Sequence, residues 1–297
     1  MKQQIIIANL IDWSKSFVDE NGSFYCGTTD ANKENAARIA RMADVVIYST
    51  DVHPDNAPEF EINGGLYPVH NTILPERFDN DFVYVRDEHG NEYTLDERTT
   101  SPCLTNILQD ALKGRKTALY VPRGVYFQGN AKEPFCNPHD IEKTFNAPLV
   151  TEEQLVQEDF SYIIAPKQYF DATRLDSDLA LPHGTWQGVP SKNGNVFSLL
   201  RQKYPEEAYD LVFVNTGVVE GICRLHTSTG LKQMFPNRSE RVINIADATT
   251  SLYGVGLGYE TQEQSREACM SVCKDIGIDY MTTDEFLQAF AKEGKTC

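Results

Sequence analysis

Short apolar runs alternate with amphipathic stretches along most of the chain. Residues 5–11, 45–48, 162–165, 211–214 and 242–245 are apolar at nearly every position, the pattern of strands covered on both faces, and 279–281 reads as a further short strand. Between them, "TTDANKENAARIARMAD" opens on a polar cap region and continues with apolar positions at helical spacing. "TQEQSREACMSVCKDIG" puts Ala268, Val272 and Ile276 on one helix face and ends at a glycine. "TTDEFLQAFAKEG" begins with a capping box, Thr282 to Glu285, and stops at Gly294. Alternation of this kind predicts an α/β fold, a doubly wound, mostly parallel six-stranded sheet with helices on both faces.

The alternation breaks between about 75 and 161. There "NDFVYVRDEHGNEYTL" predicts a hairpin turning around "HGN", followed by a helix capped at Ser101, started at Pro102 and ended at Gly114. A strand-like "TALYV" and the loop-rich "FQGNAKEPFCNPHD" complete the segment. We read it as an insertion into a single domain spanning 1–297, serving as a lid or an oligomer contact, with a homo-oligomer expected.

Composition narrows the function classes. The chain has 297 residues, 41% of them apolar, enough for a sizeable core. Its net charge of −16 would repel nucleic acid and anionic membranes. No window reaches the roughly 18 apolar residues of a membrane span. "IIIANLID" is too short for a signal peptide's apolar region, and the seven cysteines point to reduced thiols, so a cytoplasmic location is expected.

Ligands of open parallel sheets bind beyond the carboxyl ends of the strands. After the first predicted strand comes Asp12, after the second Asp51 and His53, after the third Lys167, and after the fourth "NTGVVEGICRLH" with Cys223. Cys223 is the candidate nucleophile: a helix begins there, and helix N-terminal amides together with Lys167 favour a thiolate. Asp12 is the candidate proton acceptor and later donor. The plainer alternative makes Cys223 a small core residue. Cys269 and Cys273, four apart on one helix, read as core, while Cys26, Cys103, Cys136 and Cys297 show no partner spacing. His226 reads as packing or surface, and His89, His139 and His183 as loop residues.

"STDVHPDNAPEFEINGGLYPVH" has no helical or strand period and gathers Asp51, His53, Glu59 and His70. It is either a solvated loop or a site for Zn²⁺, Fe²⁺ or Mn²⁺.

These residues resemble the nicotinamidase/isochorismatase-like cysteine hydrolases. The resemblance runs through "DWSKSF", "DVHPDNAPEF…YPVH", "APK", "GVVEGIC" and "ADA" (Asp247), in that order. It implies a catalytic triad of Asp12, Lys167 and Cys223, and one divalent metal, zinc first, held by Asp51, His53, Glu59 and His70. It also implies a cis Val218–Val219 peptide that turns the Val219 and Cys223 amides into an oxyanion hole, and a pocket formed by Phe17, Tyr67 and Ile222. The implied reaction converts nicotinamide and water to nicotinate and ammonia through a cysteine thioester. The chain departs from the pattern where Tyr67 replaces a tryptophan of the pocket and where Glu220, Gly221 and Ile222 alter the run before the cysteine. Those departures keep open another small amide, an N-carbamoyl or ureido compound. A catalytically silent scaffold leaves the triad unexplained, and isochorismatase chemistry leaves the metal-ligand residues unexplained.

Overall fold

A computed structural model describes residues 2–54, 57–73, 100–122, 139–167, 170–174, 194–237, 240–254 and 259–290, and the backbone alone of 82–86, 92–96 and 138. Among the described residues the strands are β1 (Gln3–Ile11), β2 (Val45–Asp51), β3 (Phe82–Arg86), β4 (Glu92–Asp96), β5 (Thr117–Leu119), β6 (Tyr162–Lys167), β7 (Tyr209–Val218), β8 (Glu240–Thr250) and β9 (Asp279–Met281). Seven form one sheet in the order β5-β6-β2-β1-β7-β8-β9, and each of its pairings is parallel. The sequence reading places six strands in this sheet. The seventh, β5, is the "TAL" of the segment read as an insertion, so 117–119 belongs to the main sheet. The predicted hairpin is present as the antiparallel pair β3–β4, its turn lying outside the described residues.

Helices cover both faces. They are α1 (Lys15–Val18), α2 (Asp30–Met42), α3 (Asn106–Ala111), α4 (Pro138–Phe145), α5 (Glu152–Gln157), α6 (Val196–Lys203), α7 (Leu225–Met234), α8 (Gln262–Asp275) and α9 (Thr283–Ala289). Strand alternation sends Ile6, Ala8 and Leu10 of β1 into one core and Ile5 and Ile7 into another. The first core takes Ile39 of α2, Leu108 of α3, Ile141 of α4 and Phe286 of α9. The second takes Leu155 of α5, Phe197 of α6, Leu231 of α7 and Cys273 of α8. Among the described residues, no helix is long and apolar enough to cross a membrane.

Three local expectations change. The helix expected from Ser101 starts at Asn106, with Thr105 as its N-cap, because the chain from Ser101 to Cys103 is occupied hydrogen-bonding the α1 turn. On α8 the buried positions are Ser265, Cys269 and Cys273, whereas Val272 and Ile276 are exposed. The strands are not wholly apolar inside: Asn9, Asn215 and Asn244 stand in register on β1, β7 and β8, all fully buried. The capping box of α9, Thr282 with Glu285, forms as predicted, and the expected stop at Gly294 lies outside the described residues.

Candidate active site

Sheet order makes neighbours of the four strand ends that carry chemistry. β6, β2, β1 and β7 are consecutive, and the sheet's winding reverses between β1 and β7. Asp51 and Lys167, the last residues of β2 and β6, are register partners. Asp12 follows β1 with φ +52°, a left-handed conformation that aspartate tolerates. Its amide donates to Ser49 O at 2.8 Å, and its Oδ1 accepts from the Asp51 amide at 3.0 Å. Lys167 Nζ then lies 2.9 Å from Asp12 Oδ2, 2.6 Å from Asp51 Oδ1 and 3.7 Å from Cys223 Sγ. All four side chains are buried.

Burial raises the Asp12 carboxyl to about 6; Lys167 opposes that rise and Asp51 adds to it. Burial alone would lower the Lys167 ammonium, but Asp12 and Asp51 outweigh it, and Lys167 is held firmly protonated. The Cys223 thiol is pushed well up, first by burial and then by Asp12, with Lys167 pulling the other way. Against the expected thiolate, burial first and then the two carboxylates favour the thiol form of Cys223, and one ammonium does not offset them.

The histidine stretch is not a solvated loop, since Asp51, His53 and His70 are buried. The His53 and His70 rings lie 4.8 Å apart. His70 Nδ1 donates to Pro68 O at 2.6 Å, which leaves Nε2 as the nitrogen with the lone pair. Burial, with His53 beside it, lowers His70 to about 3, so the ring is neutral. Glu59 Oε1 lies 2.6 Å from His53 Nδ1, touching the imidazole's own nitrogen. A Cβ on Gly65 would fall 2.1 Å from the Glu59 backbone, so only glycine lets the loop close there. Among the described residues, the trio of donor atoms lying within 4.8 Å of one another is Asp12, Asp51 and Cys223. The Lys167 ammonium already supplies the cation there. His53 thus adjoins both Glu59 and His70, Asp51 contacts Lys167, and the four ligand-type residues are not drawn into one such cluster. The donor set nevertheless fits a divalent ion: two buried imidazoles, one neutral with an oriented lone pair, beside carboxylates.

Aromatic rings line the neighbouring space. Phe17 lies 5.1 Å from His70 and 5.6 Å from Phe24, and Phe24 lies 6.0 Å from Tyr67. Phe24 is absent from the sequence reading, its only signal being its position seven residues after Phe17. Tyr67 is 44% exposed and Ile222 is half-buried against the core.

Cys223 sits in one π-helical turn, Glu220–Arg224, that leads into α7. The Val218–Val219 peptide before it is cis, as the resemblance implies. Gly217, at φ +130°, lies where a Cβ would meet Ile11 O at 2.0 Å, so β7 can approach β1 only through glycine. Glu220 does not face the pocket. It is fully buried on the far side, paired with Arg224 and Arg266 and accepting from Ser251. Asp247 caps α9 by accepting from the Thr283 amide and hydroxyl at 2.8 Å each. Cys26, Cys269 and Cys273 are buried, Cys103 Sγ donates to Thr144 O at 3.2 Å, and His139 is exposed. His226 lies 6.3 Å from the Phe170 ring, in keeping with packing. His89, His183, Cys136 and Cys297 fall outside the described residues.

No family model and no curated protein matches the chain. Among solved structures it is similar to the pyrazinamidase/nicotinamidase of Streptococcus mutans, at 14% identity over 93% of this chain and 99% of that one, with a TM-score of 0.50. A nicotinamidase of Bacillus subtilis matches at 16% identity over 94% of this chain and 99% of that one, with a TM-score of 0.49. An isochorismatase-like hydrolase of Alkaliphilus metalliredigens matches at 15% identity over 96% and 99%, with a TM-score of 0.46. Identities this low speak to architecture, and on the first of these comparisons the chain has the fold of a pyrazinamidase/nicotinamidase.

Proposed function

We propose that the chain is a cysteine amidohydrolase acting on a small aromatic carboxamide, with nicotinamide to nicotinate and ammonia as its reaction. The observation that carries the reading is the Lys167 ammonium within 2.9 Å of Asp12, 2.6 Å of Asp51 and 3.7 Å of Cys223 Sγ. A thiol, a carboxylate whose affinity for protons is raised, and a fixed cation between them are what acyl transfer through sulfur requires.

In this reading ionised Asp12 takes the proton from Cys223 Sγ as the sulfur attacks the carboxamide carbon. The Val219 and Cys223 amides hold the oxyanion. Asp12 returns the proton to the departing nitrogen, the C–N bond breaks, and ammonia leaves a thioester. A water then attacks the thioester carbon, giving its proton to Asp12, and the acid departs as the thiol re-forms. Lys167 keeps Asp12 ionised and aimed at sulfur. The Phe17, Phe24 and Tyr67 rings hold a flat substrate ring.

Asp51, His53 and His70 would hold one divalent ion, zinc first and Fe²⁺ or Mn²⁺ as alternatives, with Glu59 acting on it through His53 Nδ1. When bound, that ion supplies a Lewis-acidic position for the substrate's ring nitrogen.

An ammonia-release screen over nicotinamide, pyrazinamide and small ureido compounds, with metal analysis of the same sample, tests the proposal. Release from the pyridine carboxamide is expected. Release from ureido compounds alone would assign the runner-up substrate class, and release from none would overturn the reading.

A further inference from the structure

We propose that Arg224 is a positioning residue, whose guanidinium fixes the π-helical turn that presents Cys223. The inference rests on the cysteine-hydrolase reading above and names a part of the machinery that lies away from the substrate side.

Arg224 directly follows the nucleophile and is fully buried. Its Nη1 donates to Ile245 O of β8 at 2.8 Å, and its Nη2 donates to Tyr280 OH of β9 at 3.0 Å and to Glu220 Oε1. The guanidinium carbon stands 5.2 Å over the Tyr280 ring. Glu220 opens the same turn, so the ion pair spans it from first residue to last. Glu220 is held in turn by Arg266 of α8 at 3.3 Å, by Tyr280 OH at 3.3 Å and by Ser251. The turn is thereby bolted to β8, β9 and α8, three elements that carry none of the proposed catalytic groups.

A π-helical turn is a rare conformation with a poorer hydrogen-bond ladder, so it persists where outside contacts impose it. Here the Ile222 and Arg224 amides both donate to Val219 O, at 3.0 and 3.2 Å. That shared acceptor leaves little local preference for one placement of Cys223. A Cβ on Gly221 would stand 3.2 Å from Cys269 Sγ, so the turn is also pressed directly onto α8. The planar, forked guanidinium can reach a strand carbonyl, a phenol and a carboxylate at once, which a lysine ammonium on a flexible stem cannot do in the same geometry.

The charge on Cys223 is set mainly by burial and by Asp12, Lys167 and Asp51. Arg224 should therefore govern where the sulfur sits and leave its protonation alone. Arg224→Lys keeps the positive charge and removes the fork. Its kcat should fall by about 10²-fold, the loss expected from roughly 1 Å of misplacement. KM should stay within about twofold, and the acidic limb of the pH profile should not move. Arg201→Lys, which alters a half-buried arginine of α6 paired with Glu240 of β8, should lower the melting temperature without changing kcat. A folded Arg224→Lys protein with kcat within twofold of wild type would overturn the proposal. A parallel fall in kcat for Arg201→Lys would also do so, because it would show a general loss of stability. Should Arg224→Lys not fold, Tyr280→Phe removes one partner of the fork and decides in its place: a several-fold fall in kcat at constant KM supports the proposal, and an unchanged kcat overturns it. If wild type releases ammonia from no amide, the activity reading fails separately. The rate at which iodoacetamide labels Cys223, followed by peptide mass, then decides the positioning role. A rate altered by Arg224→Lys supports it, and an unaltered rate overturns it.

Discussion

Burial first and then Asp12 push the Cys223 thiol well above the ordinary cysteine range, so in the proposed reaction its proton leaves as the bond to substrate forms. On that proposal Asp12 is the group whose titration limits the reaction. The sign follows directly: a base works only when ionised, and burial raises this carboxyl to about 6, so protons compete with catalysis below that pH. We expect kcat/KM to fall about tenfold per pH unit below 6 and to level off above it, measured as ammonia release across the acidic range. Lys167→Met should push the limb to higher pH, because two buried carboxylates then lack their common cation, and should cost turnover on the order of 10²-fold. An acidic limb that stays in place in Lys167→Met would sink the assignment. Cys223→Ala should abolish turnover with the fold retained, since its sulfur carries the acyl intermediate of the proposed route; activity within tenfold of wild type would refute the thioester route. The residues of the proposed triad were legible in the sequence because each follows an apolar run, and parallel strands put such residues on one edge. The protonation state was not, because it depends on burial and on distances among four side chains at the ends of four strands. Phe24 and Arg224 were illegible for a related reason: an aromatic in a loop and an arginine after a cysteine are ordinary until the fold places partners around them.

Among the elements, strands were read from their apolar runs, and the runs hid a polar seam. Asn9 Nδ2 donates to Asn215 Oδ1 at 3.3 Å, and Asn215 Nδ2 donates to Asn244 Oδ1 at 3.2 Å and to Ser228 Oγ at 3.1 Å. Ser49 Oγ of β2 donates to Asn9 Oδ1 at 2.8 Å, so the seam runs across four strands and reaches α7 through Ser228. Register is the quantity such a seam specifies, since a slip of one residue would bury every one of these amides unpaired. The nearest catalytic consequences are that Ser49 O receives the Asp12 amide and that Ser228 lies on the helix following Cys223. Asn215→Leu removes the centre of the seam and strands groups on Asn9, Asn244 and Ser228. A loss of about 1–3 kcal/mol is expected in urea unfolding, from the desolvation of buried polar groups left without partners. An unchanged unfolding midpoint would show the seam to be incidental. Where the reading of elements failed, neighbours had decided the outcome. β5 is only Thr117–Leu119, shorter than the strand-like "TALYV" assigned to an insertion, and it belongs to the main sheet because β6 pairs with it. On α8, periodicity singled out Ala268, Val272 and Ile276, yet Cys269 and Cys273 face inward, because sulfur fills the space beside Gly221 and Asn244.

For the molecule as a whole, the distribution of charge bears on how the site would be loaded. The chain carries a net charge of −16, and Asp12, Asp51 and Glu59 concentrate negative groups at one edge of the sheet. An anionic molecule whose anionic edge also holds two imidazoles attracts small cations over a distance set by ionic strength. The stretch from β2 to Thr72 is tied to the body near its two ends: among the described residues, the Val52 amide donates to Lys167 O at 3.3 Å, the Asn71 amide to Ser16 Oγ at 3.4 Å and the Thr72 amide to Thr100 O at 3.0 Å. An ion held by Asp51 at the sheet edge and by His53 and His70 in the loop would therefore brace the loop against the sheet, and its removal should be felt in global stability as well as in turnover. Binding to the folded state alone at a hundredfold excess over Kd stabilises by about 2.7 kcal/mol. At roughly 2–4 °C per kcal/mol for a chain of this size class, a melting temperature lower by about 5–10 °C is expected after chelation. Adding back zinc should restore it. His53→Ala should melt at the chelated value with or without zinc and contain no metal, while Cys223 remains open to a small thiol reagent. Asp12→Asn should show the reverse pattern, keeping the metal-dependent shift and losing turnover. The discriminating measurement is metal content and ammonia release on one chelated sample, because metal-free protein that hydrolyses the amide at the full rate would leave the buried histidine pair with a packing role alone.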